Sequence, residues 1–211
     1  MNPDQFIRDN TELLHPPLVP EIHLHLATEV VPLWRKTEEE LARIGVPPPY
    51  WAFAWAGGQA LARYILDHPD IAAGKRVLDF GAGSGLVALA AAKAGAHHVI
   101  AADIDPFAVA AISRNAKANA LSVEAVDKDM IGAHDRFDLI LIGDMCYERP
   151  LAEKLMAWLK GTQTDILLGD PGRSYFPKTG LTRLATYSVP TTRELEDREI
   201  RETSVWRLDQ D

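Results

Sequence analysis

Three glycines fall within five positions, Gly81, Gly83 and Gly85, directly behind an apolar run that carries the acid Asp79, in the stretch VLDFGAGSGL. So few side chains let a backbone approach a ligand closely, and a helix N-terminus behind such a loop favours polar or negative groups. The dinucleotide fingerprint G-x-G-x-x-G needs its third glycine at position 86, which is Leu86. The spacing here, through Ala82 and Ser84, is G-x-G-x-G, which favours S-adenosylmethionine over NAD. The next β-rich run, HVIAADID, carries Asp103, 18 residues after Gly85, where a carboxylate can accept both hydroxyls of a ribose. Ile104 is placed to cover one face of an adenine, and Asp129 to meet its edge. Asp79, Gly81, Ala82, Gly83, Gly85, Asp103, Ile104 and Asp129 are therefore the candidate cofactor residues.

A second constellation bears on what is modified. The run FDLILIGD ends in Asp144, and GDMCYE sets Tyr147 three residues later, which puts both at the lip of the same site and Asp144 among its cofactor contacts. A carboxylate beside an aromatic ring suits a lysine: the acid anchors the nitrogen and the ring covers the alkyl stem or a cation. The chemistry holds a tension, because about one free lysine in 2,500 is neutral at pH 7 and only the neutral amine attacks a sulfonium methyl. Asp144 is accordingly expected to bind and orient rather than to take the proton. LLGDPGR, after the next run, sets Asp170, Pro171 and Arg173 in a turn that faces the site. The Asn/Asp-Pro-Pro-Tyr signature of DNA and glutamine methyltransferases is absent from the sequence. Cys146 has no evident base beside it and is expected to form a wall.

To carry these residues, five strands are expected at Arg76 to Phe80, His98 to Asp103, Val123 to Val126, Phe137 to Gly143 and Asp165 to Gly169. LVALAAAKAG, PFAVAAISRNAKANA and RPLAEKLMAWLKG repeat small or aliphatic residues at helical spacing between them. Strands alternating with helices predict a parallel α/β sheet covered on both faces. Two late runs, ATYSVP and TSVWRLD, are expected to form a terminal hairpin at one edge. Residues 1–50 differ: EIHLHLA alternates with period 2 and reads as an accessory strand, and KTEEELARIG reads as a helix. The boundary expected is an accessory cover over 1–50 and a catalytic unit over 51–211, compact as a whole. The His23-x-His25 pair puts both rings on the polar face with no third ligand, so no metal is expected.

A chain of 211 residues is long enough for one domain with its own core. A net charge of -8 argues against a nucleic-acid partner, and no apolar run reaches membrane-spanning length. The lone cysteine excludes an internal disulfide and suits a reducing cytoplasm.

VLDFGAGSG and AADID resemble the first two motifs of class I, seven-strand S-adenosylmethionine-dependent methyltransferases. That resemblance implies a Rossmann-like sheet whose last strand is antiparallel. PYWAFAWAGGQAL, GDMCYE, LGDPGR and the late TSVW, in that order from about Glu21 to Trp206, are similar to the electron transfer flavoprotein β-subunit lysine methyltransferase family. The resemblance implies protein-lysine N-methylation with that flavoprotein subunit as substrate. It also puts Trp51 at the methionine end of the cofactor and Asp144 and Tyr147 at the lysine, and has Asp170 to Arg173 help shape the protein-docking face. Animal members tend to have an aromatic residue at the position of Cys146, and they carry a mitochondrial targeting extension that is missing here, so a bacterial, cytoplasmic member is expected. A ribosomal protein or a small amine is the alternative acceptor, and a non-catalytic cofactor-binding regulator the alternative role.

Overall fold

Apolar residues in the β-rich runs alternate sides, and the alternation sorts them into two buried layers. Val77, Leu139, Leu141 and Leu167 join one cluster, while Leu78, Ile140, Ile142, Ile166 and Leu168 join the other. This period-2 division is what a sheet needs to be covered on both faces. The computed structural model describes residues 2–28, 48–133, 136–191 and 198–210. The expected helix KTEEELARIG lies outside the described residues.

In chain order the elements are helix α1 (Pro3–Asn10), strands β1 (Glu12–Leu14) and β2 (Leu24–Leu26), helix α2 (Ala56–Asp67), β3 (Arg76–Phe80), α3 (Leu86–Lys93), β4 (His98–Asp103), α4 (Pro106–Ala118), β5 (Glu124–Asp127), β6 (Leu139–Gly143), α5 (Arg149–Lys160), β7 (Asp165–Asp170), β8 (Leu181–Pro190) and β9 (Ile200–Leu208). A 3-10 turn at Tyr50–Ala52 precedes α2. The main sheet has seven strands in the order β5-β4-β3-β6-β7-β9-β8. Its first five members are parallel, and β9 pairs antiparallel with both β7 and β8. The α/β class and the antiparallel terminal hairpin are therefore as expected. The differences are local, chiefly at the strand ends and in one connection. β6 starts at Leu139 rather than Phe137, because the Asp138 N–H is taken by the Arg76 carbonyl and its carboxylate by the Arg76 N–H. The β5 to β6 connection carries no helix among the described residues.

Residues of α2, α3 and α4 cover one face and those of α5 the other. The strand order reverses between β3 and β6, and the carboxyl ends of strands flanking such a reversal are where open α/β sheets leave a crevice.

The N-terminal segment is fastened to α4. Val19, Ile22 and Leu24 are fully buried in the same cluster as α2 and α3, and Ile7 packs with Trp51, Phe107 and Ala111. Asn115 Oδ1 accepts the His25 N–H and Asn119 Oδ1 the His23 N–H. Both imidazoles lie on the polar side, as the alternation indicates, the His23 ring meeting His15 and the His25 ring set between Thr11 and Arg114. The His25 ring is half-buried, its Nε2 accepts from Arg114 Nε at 3.1 Å and its Nδ1 meets Thr11 Oγ1 at 3.2 Å. Burial and the Arg114 charge hold the His25 pKa below the usual value. The alternation places a side chain on one face of a strand but is blind to α4, which arrives from far along the chain. Among the described residues no helix is long and apolar enough to cross a membrane.

Candidate active site

The β3-to-α3 loop makes the floor of the site. Gly81, Gly83 and Gly85 all have φ between 52° and 80°, the left-handed region that favours glycine. Their missing side chains serve different neighbours. A Cβ on Gly81 would run into Met145, and one on Gly85 would lie 3.2 Å from Ile112 of α4, whereas one on Gly83 would stand 3.8 Å from the Trp51 Cα. Gly81 and Gly83 line a cavity of about 440 Å³ and Gly85 does not. That volume lies within the range of small-molecule sites.

Around this floor the cavity gathers Trp51, Asp103, Ile104, Asp129, Asp144, Tyr147 and Arg173 from the residues singled out in the sequence. Asp79 and Ala82 border a small adjoining pocket instead, and Asp170 and Pro171 line neither. Asp79 is 1% exposed and its Oδ2 accepts the Ala88 N–H at 2.8 Å, tying β3 to the first turn of α3, and burial pushes its pKa up to about 8. Asp103 sits at the end of β4, with Oδ2 accepting the Gly83 N–H at 2.9 Å and Oδ1 the Asp105 N–H at 3.0 Å. Burial raises its pKa against those stabilising N–H donors. Ile104 is 73% exposed beside it. Asp129 Oδ1 accepts the Ile131 N–H.

The fit to an adenosyl cofactor rests on two observations. Trp51 is 1% exposed and stacked on Phe107, and its indole Nε1 has no hydrogen-bond partner among the described residues although it lines the cavity. A buried donor left unpaired in this way costs free energy that a ligand acceptor recovers. The second is an apolar Ile104 side chain held out next to a carboxylate suited to a diol. Asp103→Ala is expected to raise the Kd of S-adenosylhomocysteine roughly 10- to 100-fold, the effect of losing hydrogen bonds to a charged group. Calorimetric titration checks it, and unchanged affinity would remove Asp103 from the cofactor site.

The remaining side of the cavity is built where α2 lands on the strand ends. A Cβ on Gly57 would collide with the Gly169 carbonyl and come within 2.5 Å of Asp144 Oδ2, and one on Gly143 would come within 3.0 Å of the Gly58 Cα. Small residues on both sides thus bring the α2 N-terminus onto β6 and β7. Asp144, with a left-handed φ of 59° that aspartate tolerates better than most residues, turns its carboxylate to that helix end, where Oδ2 accepts the Gly58 N–H at 2.9 Å. Oδ1 accepts from Arg173 Nε at 3.0 Å and Nη2 at 2.6 Å. Arg173 also lies 5.6 Å from the ring centre of Trp55. Tyr50, Trp55 and Tyr147 form an aromatic rim, with Tyr50 centred 6.0 Å from Trp55 and 5.9 Å from Tyr147.

Two further expected residues of this side are buried. Asp170, expected to help shape a docking face, is 3% exposed, and its Oδ1 accepts the Gly172 and Arg173 N–H groups, each at 2.7 Å, so it holds the turn from beneath. Cys146, expected as a cavity wall, is 1% exposed and lies outside the cavity lining, although its neighbours Met145 and Tyr147 line it. Burial pushes its thiol up to about 12, which leaves it un-ionised. Tyr50, Trp55, Met145 and Lys128 line the cavity but were not singled out from the sequence. The dense aromatic spacing of PYWAFAW carried the signal for the first two.

The model of the family "Ribosomal protein L11 methyltransferase (PrmA)" matches residues 59–143. The electron transfer flavoprotein beta subunit lysine methyltransferase of Danio rerio is 43% identical over 215 residues, spanning 96% of this chain and 81% of that one. Its Homo sapiens counterpart is 37% identical over 212 residues, spanning 95% and 80%. Among solved structures, magnesium protoporphyrin IX methyltransferase (ChlM) from Synechocystis PCC 6803 with bound SAH matches with a TM-score of 0.56 and 16% identity over 73% of this chain and 81% of that one. That last likeness is one of fold.

Proposed function

We infer the function from kinship joined to geometry: this chain belongs to the electron transfer flavoprotein beta subunit lysine methyltransferase family, and its activity is transfer of methyl groups from S-adenosylmethionine to lysine ε-amines of that flavoprotein's β subunit. The observation that carries the acceptor chemistry is the carboxylate of Asp144 set beneath the aromatic rim of Tyr50, Trp55 and Tyr147, in the same cavity as Asp103. Bound S-adenosylmethionine supplies an electrophilic methyl on a cationic sulfur.

The protein's own residues supply placement. Asp103 holds the ribose, Ile104 and Asp129 the adenine, and Gly81 and Gly83 let the backbone come close. Trp51 closes the methionine end. Tyr50, Trp55 and Tyr147 cover the lysine stem, and Asp144 orients its nitrogen. Positioning of this kind accounts for much of the barrier lowering in a direct transfer. Residues 51–211 act as the methyltransferase unit in this reading, with 1–50 as its cover. A second reading, a ribosomal-protein acceptor, draws on the family model, which ends at residue 143, one position before Asp144, and so bears on the cofactor half more than on the acceptor half.

Intact-mass analysis of unmethylated electron transfer flavoprotein after incubation with the protein and S-adenosylmethionine tests both. Steps of about 14 Da on β-subunit lysines are expected. No step on the flavoprotein, with steps on ribosomal proteins from the same cells, would favour the second reading.

A further inference from the structure

Lysine transfer at this site meets an obstacle that the site's charges resolve. A carboxylate standing alone beside the entering ammonium would hold its proton on, because an opposite charge within about 4–6 Å favours the charged form. Asp144 does not stand alone. Its Oδ1 carries two hydrogen bonds from one guanidinium, and its Oδ2 faces the positive end of α2 through the Gly58 N–H. The guanidinium is part of the wall: the Arg173 side chain is 17% exposed, lies against Trp55, and springs from a turn tied at both Gly172 and Arg173 N–H groups to buried Asp170. The groups that bear on Asp144 include Asp170 at the end of β7, Arg173 from the turn after it and Cys146 from its own loop, with Tyr147 on the same rim. Asp103, Asp105, Lys128 and Asp129 line the same cavity from β4 and β5.

We propose that Arg173 is a positioning residue that fixes the Asp144 carboxylate as a hydrogen-bond acceptor while cancelling its charge, so that the entering lysine sheds its proton to water before it reacts. The inference rests on the lysine-transfer reading above. The step is a heterolytic N–H cleavage: the electron pair stays on the lysine nitrogen and the proton leaves to bulk water. Asp144 then retains orientation without the electrostatic hold that would keep the amine protonated.

Single-turnover transfer to electron transfer flavoprotein, followed against pH by intact mass, reads the ionisation of the bound lysine directly. Arg173→Gln is expected to move the acidic midpoint up by about one pH unit, which makes it about tenfold slower at pH 7 with a deficit that shrinks toward pH 9.5. Its KM is expected to stay level or fall, since an uncancelled carboxylate binds an ammonium better. Arg173→Met, which keeps a stem over Trp55, should behave like Arg173→Gln, and Arg173→Lys should keep the wild-type midpoint. Independently of turnover, calorimetry of flavoprotein binding to the S-adenosylhomocysteine-loaded protein, in two buffers of different ionisation enthalpy, should show fewer protons released by the neutral variants than by wild type. A uniform loss of rate at every pH with unchanged proton release would overturn the proposal and leave Arg173 a structural clamp. Absence of lysine methylation by the wild-type protein would overturn the lysine reading itself, and this inference with it.

Discussion

Asp144→Ala is expected to lower methyl transfer by at least about 100-fold while the affinity for S-adenosylhomocysteine stays within a few-fold, an effect of the size seen when a preorganised polar group is removed from the reacting centre. The carboxylate lies where β6 delivers it, pinned on one oxygen by the Gly58 N–H and on the other by Arg173. No backbone group can reproduce that direction. Truncation also takes the partner carboxylate from the half-buried Arg173 guanidinium, and breaking such a pair costs about 3 kcal/mol of stability. A loss of activity must therefore be separated from a loss of fold. Asp144→Asn does this, because it keeps the side-chain shape and an acceptor for Gly58 while removing the charge. Both variants are compared with wild type by intact mass at saturating cofactor, beside thermal melts and S-adenosylhomocysteine titration. Wild-type transfer by a folded Asp144→Ala would sink the assignment of Asp144 to the acceptor.

Gly57→Ala and Gly58→Ala, changes at adjacent positions of one helix, are expected to move stability in opposite directions. At Gly57 the added methyl meets the Gly169 carbonyl and the Asp144 carboxylate, both fixed by the sheet. Neither can retreat without opening the β6–β7 end, so the cost is about 3 kcal/mol or more. At Gly58 the nearest atom to a new methyl is Val87 Cγ2 at 3.9 Å, an ordinary contact. Alanine there removes unfolded-state freedom inside α2 and gains about 0.5–1 kcal/mol. Urea unfolding of the two variants gives the comparison directly. Equal effects would mean that α2 does not seat on Gly169 as closely as described. The Gly57 variant should lose transfer more steeply than stability, because the displaced group is Asp144 itself.

Much of this architecture could be read from the chain. β3 and β4 end where expected, at Phe80 and Asp103, because an uninterrupted apolar run closed by an acid and a turn is a strong local signal. β5 begins one residue late, at Glu124, because its EAVD segment is short and only partly covered. The terminal hairpin was legible from two β-rich runs. Contacts between distant segments were not. Gly85 reads as part of a ligand loop by spacing, yet its space is filled by Ile112 from α4. Asp144 and Arg173 are 29 residues apart, and nothing in either stretch announces that one neutralises the other. Asp170 reads as a surface turn residue from DPGR, and only the paired sheet around β7 reveals that it is buried. Local periodicity fixes which way a side chain leaves its own element, while the neighbour it meets is decided by topology.

The docking of the first residues onto α4 has a thermodynamic corollary. Ile7 and Phe6 pack in one cluster with Phe107 and Trp51, and the Ala27 N–H donates to the carbonyl of Ala52, the residue next to Trp51. The chain end and the cavity wall are therefore one cooperative patch. Whatever free energy a ligand adds to the docking of the amino-terminal segment through Trp51, that docking adds to ligand binding, so loosening the segment weakens ligand retention by the same amount. The amino-terminal segment thus acts as a reciprocal tensioner for the cavity, although none of residues 2–28 lines it.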